Sequence, residues 1–164
     1  MNSTMLHSKL QALPKLGEGK RGEEGHLGYL LRQANVAFRG SVERALSDLD
    51  ITLPQYVVLT MVRAYPKISN ADLARLSLLT PQTVSVIVGN LKRAGMLRSE
   101  PHPIHGRIQT LSITREGEKI LSRCRQRVAP LEDRLTAAMS TGERKLIRRW
   151  LVSVAVACTQ SERE

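Results

Sequence analysis

Between Thr80 and Arg93 the chain reads TPQTVSVIVGNLKR, and its hydrogen-bonding side chains recur at helical spacing. At ~100° per residue, Val84, Ile87, Val88 and Leu91 gather on one side of such a helix. Gln82, Val86, Gly89 and Arg93 fall opposite, flanked by Thr83, Ser85 and Asn90. The chemistry open to this outer face is recognition. A Gln or Asn amide can pair with adenine, a hydroxyl can reach a base edge or a phosphate, and a valine can touch a thymine methyl. The helix has a strong start, with Thr80 as cap and Pro81 at the first helical position. Gln82, Ser85, Val86 and Asn90 are therefore expected to face bases, with Thr80, Thr83 and Arg93 nearer phosphates. Arg107 lies in the loop EPHPIHGR, which has two prolines and a glycine; it is expected to enter a minor groove or meet its phosphates. On periodicity alone the same helix is an ordinary amphipathic surface helix, so the surroundings decide.

The other reactive side chains suggest no catalysis. The histidines are His7, His26, His102 and His105, and none stands with a cysteine or carboxylate at catalytic or metal-binding spacing. His102 and His105 read as surface-loop residues. There is no glycine-rich phosphate loop and no nucleophile elbow. Cys124 and Cys158 match no metal or redox spacing and read as small buried hydrophobes. No enzyme activity, cofactor or metal is expected.

Charge and aromatic content narrow the partner. The 164-residue chain carries a net charge of +10. The excess is greatest over 67–115, where Lys67, Arg75, Lys92, Arg93, Arg98, Arg107 and Arg115 face only Asp72 and Glu100. Such a concentration suits a polyphosphate, held by phosphate contacts and counterion release. That stretch has no aromatic residue, so it lacks the stacking platforms that grip single strands. Double-stranded DNA is the better partner.

These side chains need elements to hold them. Leu27, Leu30, Leu31, Ala34, Phe38, Val42, Ala45, Leu46 and Leu49 predict a long first helix. Thr52 and Pro54 begin a second, carrying Val57, Val58, Met61 and Val62 and ending near Tyr65. Ser69, with Asp72 three residues on, opens a third. Leu76 to Leu79 form a tight turn into the helix at Thr80, and Gly95 stops that helix. Residues 97–99 and 108–113 change to the strand period and form a two-stranded hairpin with a basic tip. Thr114 caps a long helix through Leu121 and Leu135, which Pro130 should kink. Ser140 and Glu143 box the last helix, with a stripe of Leu146, Ile147, Trp150, Leu151, Val154 and Cys158. The fold class is mainly α with a small two-stranded β wing: a winged helix-turn-helix with long N- and C-terminal dimerisation helices. Residues 1–25 read as a flexible N-terminal extension and 26–160 as a single domain. Within that domain the winged core spans 54–114, and the dimerisation helices span 26–50 and 115–160.

The stretches DLARLSLLTPQTVSVIVGNLKRAGMLRSE at 72–100 and GRIQTLSITREGEKIL at 106–121 resemble the MarR family of bacterial regulators. The element order over 26–160 resembles it too, as does the Leu-x-x-Thr-x-x-Gly run at Leu111, Thr114 and Gly117. The resemblance implies a homodimer with one winged unit per subunit, and a small-molecule effector. One departure is His105, which stands where the family has an aspartate two residues before the wing arginine, here Arg107. The implied effector is an aromatic carboxylate or an aromatic acyl-CoA thioester. His26, Tyr29 and Arg32 on the first helix, with Tyr56, Arg63 and Tyr65 on the second, could hold such an anion beneath Leu30, Leu31, Phe38, Val57 and Met61.

A ligand-responsive repressor binding a palindromic operator is the functional expectation; the alternative is an architectural, sequence-blind DNA-binding protein. A metal sensor lacks the necessary His/Asp/Glu clusters. A thiol-based peroxide sensor of this kind would carry a cysteine near the first long helix, where this chain has none. No apolar run reaches the ~20 residues of a membrane span, and no signal-peptide core is evident, so a cytoplasmic location is expected.

Overall fold

A computed structural model describes residues 13–101 and 109–160. The sequence-derived contact Arg107 therefore lies outside the described residues, as do His102 and His105. The chain divides into two compact units, residues 1–40 and 41–164.

In the first unit a short 3-10 turn, Gly19–Arg21, precedes helix α1 (Leu27–Leu46), whose last turns belong to the second unit. The turn is tied down by polar bonds. The Arg21 guanidinium donates to the Pro14 carbonyl at 2.9 Å, and the Gln33 amide donates to the Arg21 carbonyl at 3.0 Å.

The second unit continues with α2 (Leu53–Ala64), β1 (Ile68–Ser69), α3 (Asn70–Ser77), α4 (Pro81–Arg93), β2 (Leu97–Pro101), β3 (Gln109–Ile113), α5 (Arg115–Leu135) and α6 (Thr141–Gln160). Helix starts follow side-chain chemistry written locally. Thr52 and Gln55 form a reciprocal capping box on α2, with Pro54 in the first turn. Ser69 Oγ accepts the Asp72 N–H at 3.1 Å, and Thr80 Oγ1 accepts the Thr83 N–H at 3.2 Å. At α6 Ser140 and Glu143 satisfy each other's backbone N–H groups. The Ser140 hydroxyl, which donates to the Glu143 carboxylate at 2.7 Å, and the Ser140 N–H together hold that carboxyl below its ordinary range.

The core lies among α2, α3, α4, α5 and the sheet, where Leu59, Leu73, Leu91, Leu111 and Leu121 are fully enclosed. Each such leucine contributes roughly 1.5–3 kcal/mol by leaving water. Helix α5 continues through Pro130 to Leu135.

The sheet has three antiparallel strands in the order β1-β3-β2, one more than the hairpin the sequence predicts. Ile68 pairs with Leu111 and Ser69 with Thr110. A two-residue strand is too short to show a period of two, and Ser69 serves both as strand residue and as the cap of α3. Lys67 enters this strand in the left-handed region, at φ 64°, with its N–H donating to the Leu111 carbonyl at 3.0 Å.

The root of the wing explains the Thr-x-x-Gly spacing. Thr114 donates its N–H to the Met96 carbonyl at 3.1 Å and its hydroxyl to the Gly95 carbonyl at 2.6 Å. It also accepts the Gly117 N–H at 3.1 Å. This draws the first turn of α5 onto the end of the α4–β2 turn, so closely that a Cβ on Gly117 would stand 2.2 Å from the Met96 carbonyl oxygen.

None of the described residues of helix α6 is buried, and Leu146, Ile147 and Leu151 of its apolar stripe are exposed. Cys124 is fully buried as expected, but Cys158 is exposed, because the helix that carries it lends nothing to the core of the single chain. Burial pushes the Cys124 thiol above its ordinary range, so it behaves as a small hydrophobe.

Candidate nucleic-acid interface

Helix α4 follows α3 across a three-residue connection, Leu78 to Thr80. Its buried side is Val84, Ile87, Val88 and Leu91, the four residues the periodicity selects. Those contacts orient the opposite face outward. Gln82, Thr83, Ser85 and Val86 are exposed, Val86 with 63% of its surface open, and Arg93 is exposed at the far end. Gly89 and Asn90 are half-buried. At 1.5 Å per residue the stripe from Gln82 to Arg93 runs about 16 Å, of the order of the ~12 Å width of a B-DNA major groove.

Several of these side chains are already engaged. The Thr80 and Thr83 hydroxyls lie 2.8 Å apart, so one donates to the other at the α4 N-terminus. Thr80 can still turn a lone pair or its proton outward, and the first-turn N–H groups and the helix dipole favour an anion there. The Arg93 guanidinium donates to the Asn90 side-chain oxygen. Asn90 therefore keeps its NH₂ group and one carbonyl lone pair free of this bond, and two-fold pairing with adenine either shares the oxygen with Arg93 or displaces it. Proximity along one helical turn, visible in the sequence as i, i+3, sets up this competition.

The basic excess is partly neutralised locally. Arg75 pairs with Asp72 at 3.0 Å and Arg98 with Glu100 at 2.8 Å. Among the described residues, Lys92 and Arg115 have no acidic partner. Lys92 and Arg93 stand in the last turn of α4 itself.

The six effector candidates fall three on each unit. His26, just before α1, and Tyr29 and Arg32 on it are exposed in the first. Tyr56, Arg63 and Tyr65 belong to the second, at two different depths. Tyr56 is half-buried beside α5, and its burial raises the phenol above its ordinary range against the opposing pull of the Arg125 guanidinium. The Thr60 hydroxyl, one turn along, is buried without a well-formed hydrogen bond, although the Tyr56 phenol is close enough to feel it. Arg63 is held by Glu118 of α5 at 2.5 Å, and Tyr65 is exposed just beyond α2. Arg125 is the group that sequence reasoning missed. It lies 69 positions from Tyr56, and only packing of α2 on α5 brings the two together.

Comparison with known proteins matches residues 49–108 to the family described as the MarR family. Over 129 residues the chain is 30% identical to the HTH-type transcriptional repressor Rv2887 of Mycobacterium tuberculosis, covering 79% of this chain and 93% of that one. The crystal structure of that protein in complex with salicylic acid superposes with a TM-score of 0.63 at 30% identity, covering 80% of this chain and 98% of the other. A mutant of MarR from E. coli complexed with operator DNA gives a TM-score of 0.69 at 26% identity, covering 78% and 92%. Among the described residues no helix is long and apolar enough to cross a membrane, and no cluster of three potential metal ligands occurs.

Proposed function

Because this chain belongs to the MarR family, we propose that it is a ligand-responsive transcriptional regulator, a repressor, that binds a palindromic double-stranded operator as a homodimer. The observation that carries the reading is the division of α4 into a buried side and an exposed polar side behind a start capped by Thr80 and led by Pro81. Gln82, Ser85, Val86 and Asn90 read base edges; Thr80, Thr83 and Arg93 lie nearer the phosphates; Arg107 enters the minor groove or meets its phosphates. The complex of MarR with operator DNA supports the partner. Nothing in the face resembles a catalytic constellation, and we assign the chain no enzyme activity and a cytoplasmic location.

Residues 26–160 work as one domain, with 54–114 reading DNA and 26–50 and 115–160 pairing two copies. The exposed apolar side of α6 supports the pairing, since a lone winged unit has no use for it. Two-fold pairing places half-sites about one duplex turn apart. The effector is an aromatic carboxylate or an aromatic acyl thioester of coenzyme A; Rv2887 in complex with salicylic acid supports the first. Tyr56, with Arg125 beside it, is the centre of its site on the second unit, with Arg63 and Tyr65 as further candidates there.

The test is selection of duplexes from a random pool, followed by competition against unrelated duplex. A regulator enriches a near-palindrome and prefers it steeply; equal binding to all duplexes would establish the sequence-blind alternative. Gln82→Ala should cost roughly 1–3 kcal/mol on the selected site and relax specificity there, whereas Arg107→Ala should weaken all duplexes and lower the salt slope by about one. Salicylic acid should release the selected duplex from the wild-type protein, and Arg125→Ala should require more of it.

A further inference from the structure

Helix α3 ends in a left-handed residue, and that residue is leucine. Leu78 sits at φ 55°, ψ 40°. Its N–H donates back to the α3 carbonyls of Ala74 and Arg75, and the Leu79 N–H donates to the Ala74 carbonyl at 3.1 Å. This is the Schellman closure, in which the left-handed position is normally glycine because a Cβ is unfavourable there. The hydrophobic contact that accompanies such a closure falls to the following residue, here the half-buried Leu79. Leu78 takes no part in it, and 91% of its surface is open, more than for any other large hydrophobic residue described. The described residues hold two other non-glycine positions with positive φ, Asp50 and Lys67, and both are polar. Leu78 is therefore disfavoured twice over in the free chain, by its backbone conformation and by its exposure. An outlier that the surrounding fold maintains without using it points to a use elsewhere.

Its position says where. Leu78 is two residues before Thr80, so their Cα atoms are within about 7.6 Å of each other. A duplex that meets the N-terminus of α4 comes within reach of a leucine side chain projecting from that turn. The apolar groups a duplex offers there are thymine methyls and the deoxyribose edges of its backbone. We propose that Leu78 is a further DNA-contacting residue, seating its side chain on apolar surface of the duplex beside the start of α4. The inference rests on α4 being the reading helix.

The duplex selected by the wild-type protein is the probe. Leu78→Gly and Leu78→Asn both suit the left-handed backbone and both delete the apolar group, so each should melt at or above the wild-type temperature yet bind about tenfold more weakly, about 1.4 kcal/mol. Leu78→Met, which keeps an apolar group, should stay close to wild type. Replacing thymine by deoxyuridine at single positions separates the two sources of contact. If a thymine methyl is the partner, one replacement weakens the wild type and leaves Leu78→Gly unaffected. If deoxyribose is the partner, the replacements affect both proteins alike, and Leu78→Gly loses affinity for every duplex to the same degree. Wild-type affinity in both the Gly and Asn variants overturns the assignment of Leu78 while leaving the regulator reading intact. A wild-type protein that enriches no duplex overturns both.

Discussion

Gly117 is the most exposed point of the structural argument, because its replacement by alanine is ordinarily favourable in a helix. Alanine is preferred over glycine in helix interiors by about 1 kcal/mol, and Gly117 lies in the first turn of α5. Against that, the new Cβ would stand 2.2 Å from the Met96 carbonyl oxygen and 2.7 Å from Ile113 Cγ1. The first of these is backbone, so no side-chain rotation relieves it. Overpacking of this kind costs about 1–3 kcal/mol. The Met96 carbonyl also accepts the Thr114 N–H, and moving it away weakens a hydrogen bond worth about 1 kcal/mol. The net expectation for Gly117→Ala is a loss of roughly 1–3 kcal/mol, or a melting temperature lower by about 2–12 °C for a chain of this size. Gly89→Ala is the internal comparison, since a Cβ there meets nothing within 4 Å; it should raise stability by about 0.5–1 kcal/mol. Thermal unfolding at one fixed protein concentration reads both variants. A Gly117→Ala protein that melts at or above the wild-type temperature would refute the claimed approach of α5 to the wing root, and with it the reason offered for the Thr-x-x-Gly spacing.

Other consequences follow from the same packing. Leu91 is 1% exposed beneath the reading face, so Leu91→Ala should cost about 2–5 kcal/mol in denaturant unfolding, whereas Leu91→Met should cost less than about 1.5. Thr80→Ala removes the α4 cap and should lower stability by about 0.5–2 kcal/mol; Thr80→Ser, which keeps the hydroxyl, should retain most of it. The Tyr56 phenol is raised above its ordinary value of 10.0, so below that pH it adds no pH dependence. Above it the unfolded phenol ionises while the folded one stays neutral, and stability falls as pH rises through that window. Phenolate absorbance should show a late-titrating component that Tyr56→Phe removes; a wild-type titration that Tyr56→Phe leaves without loss of any late component would contradict the burial of Tyr56 against α5.

Much of the fold is legible in the sequence because its causes are local. Thr52, Ser69, Thr80, Thr114 and Ser140 each begin a helix through bonds that span three residues, a distance the sequence displays directly. The buried set Val84, Ile87, Val88 and Leu91 follows from the helical repeat alone, and so does the exposure of Gln82, Ser85 and Val86. What the sequence could not display depends on segments that meet only after the chain folds. Strand β1 is two residues long and exists because Leu111 and Thr110 arrive beside it. Arg125 becomes Tyr56's neighbour, and Glu118 becomes the partner of Arg63, only when α5 packs on α2. The stripe on α6 has the same periodicity as the buried stripe on α4, yet it stays exposed, because periodicity selects a face and not the surface that will cover it. Leu76, Leu78 and Leu79 are alike in the sequence; the left-handed close of α3 is what turns Leu78 outward and leaves Leu79 to pack.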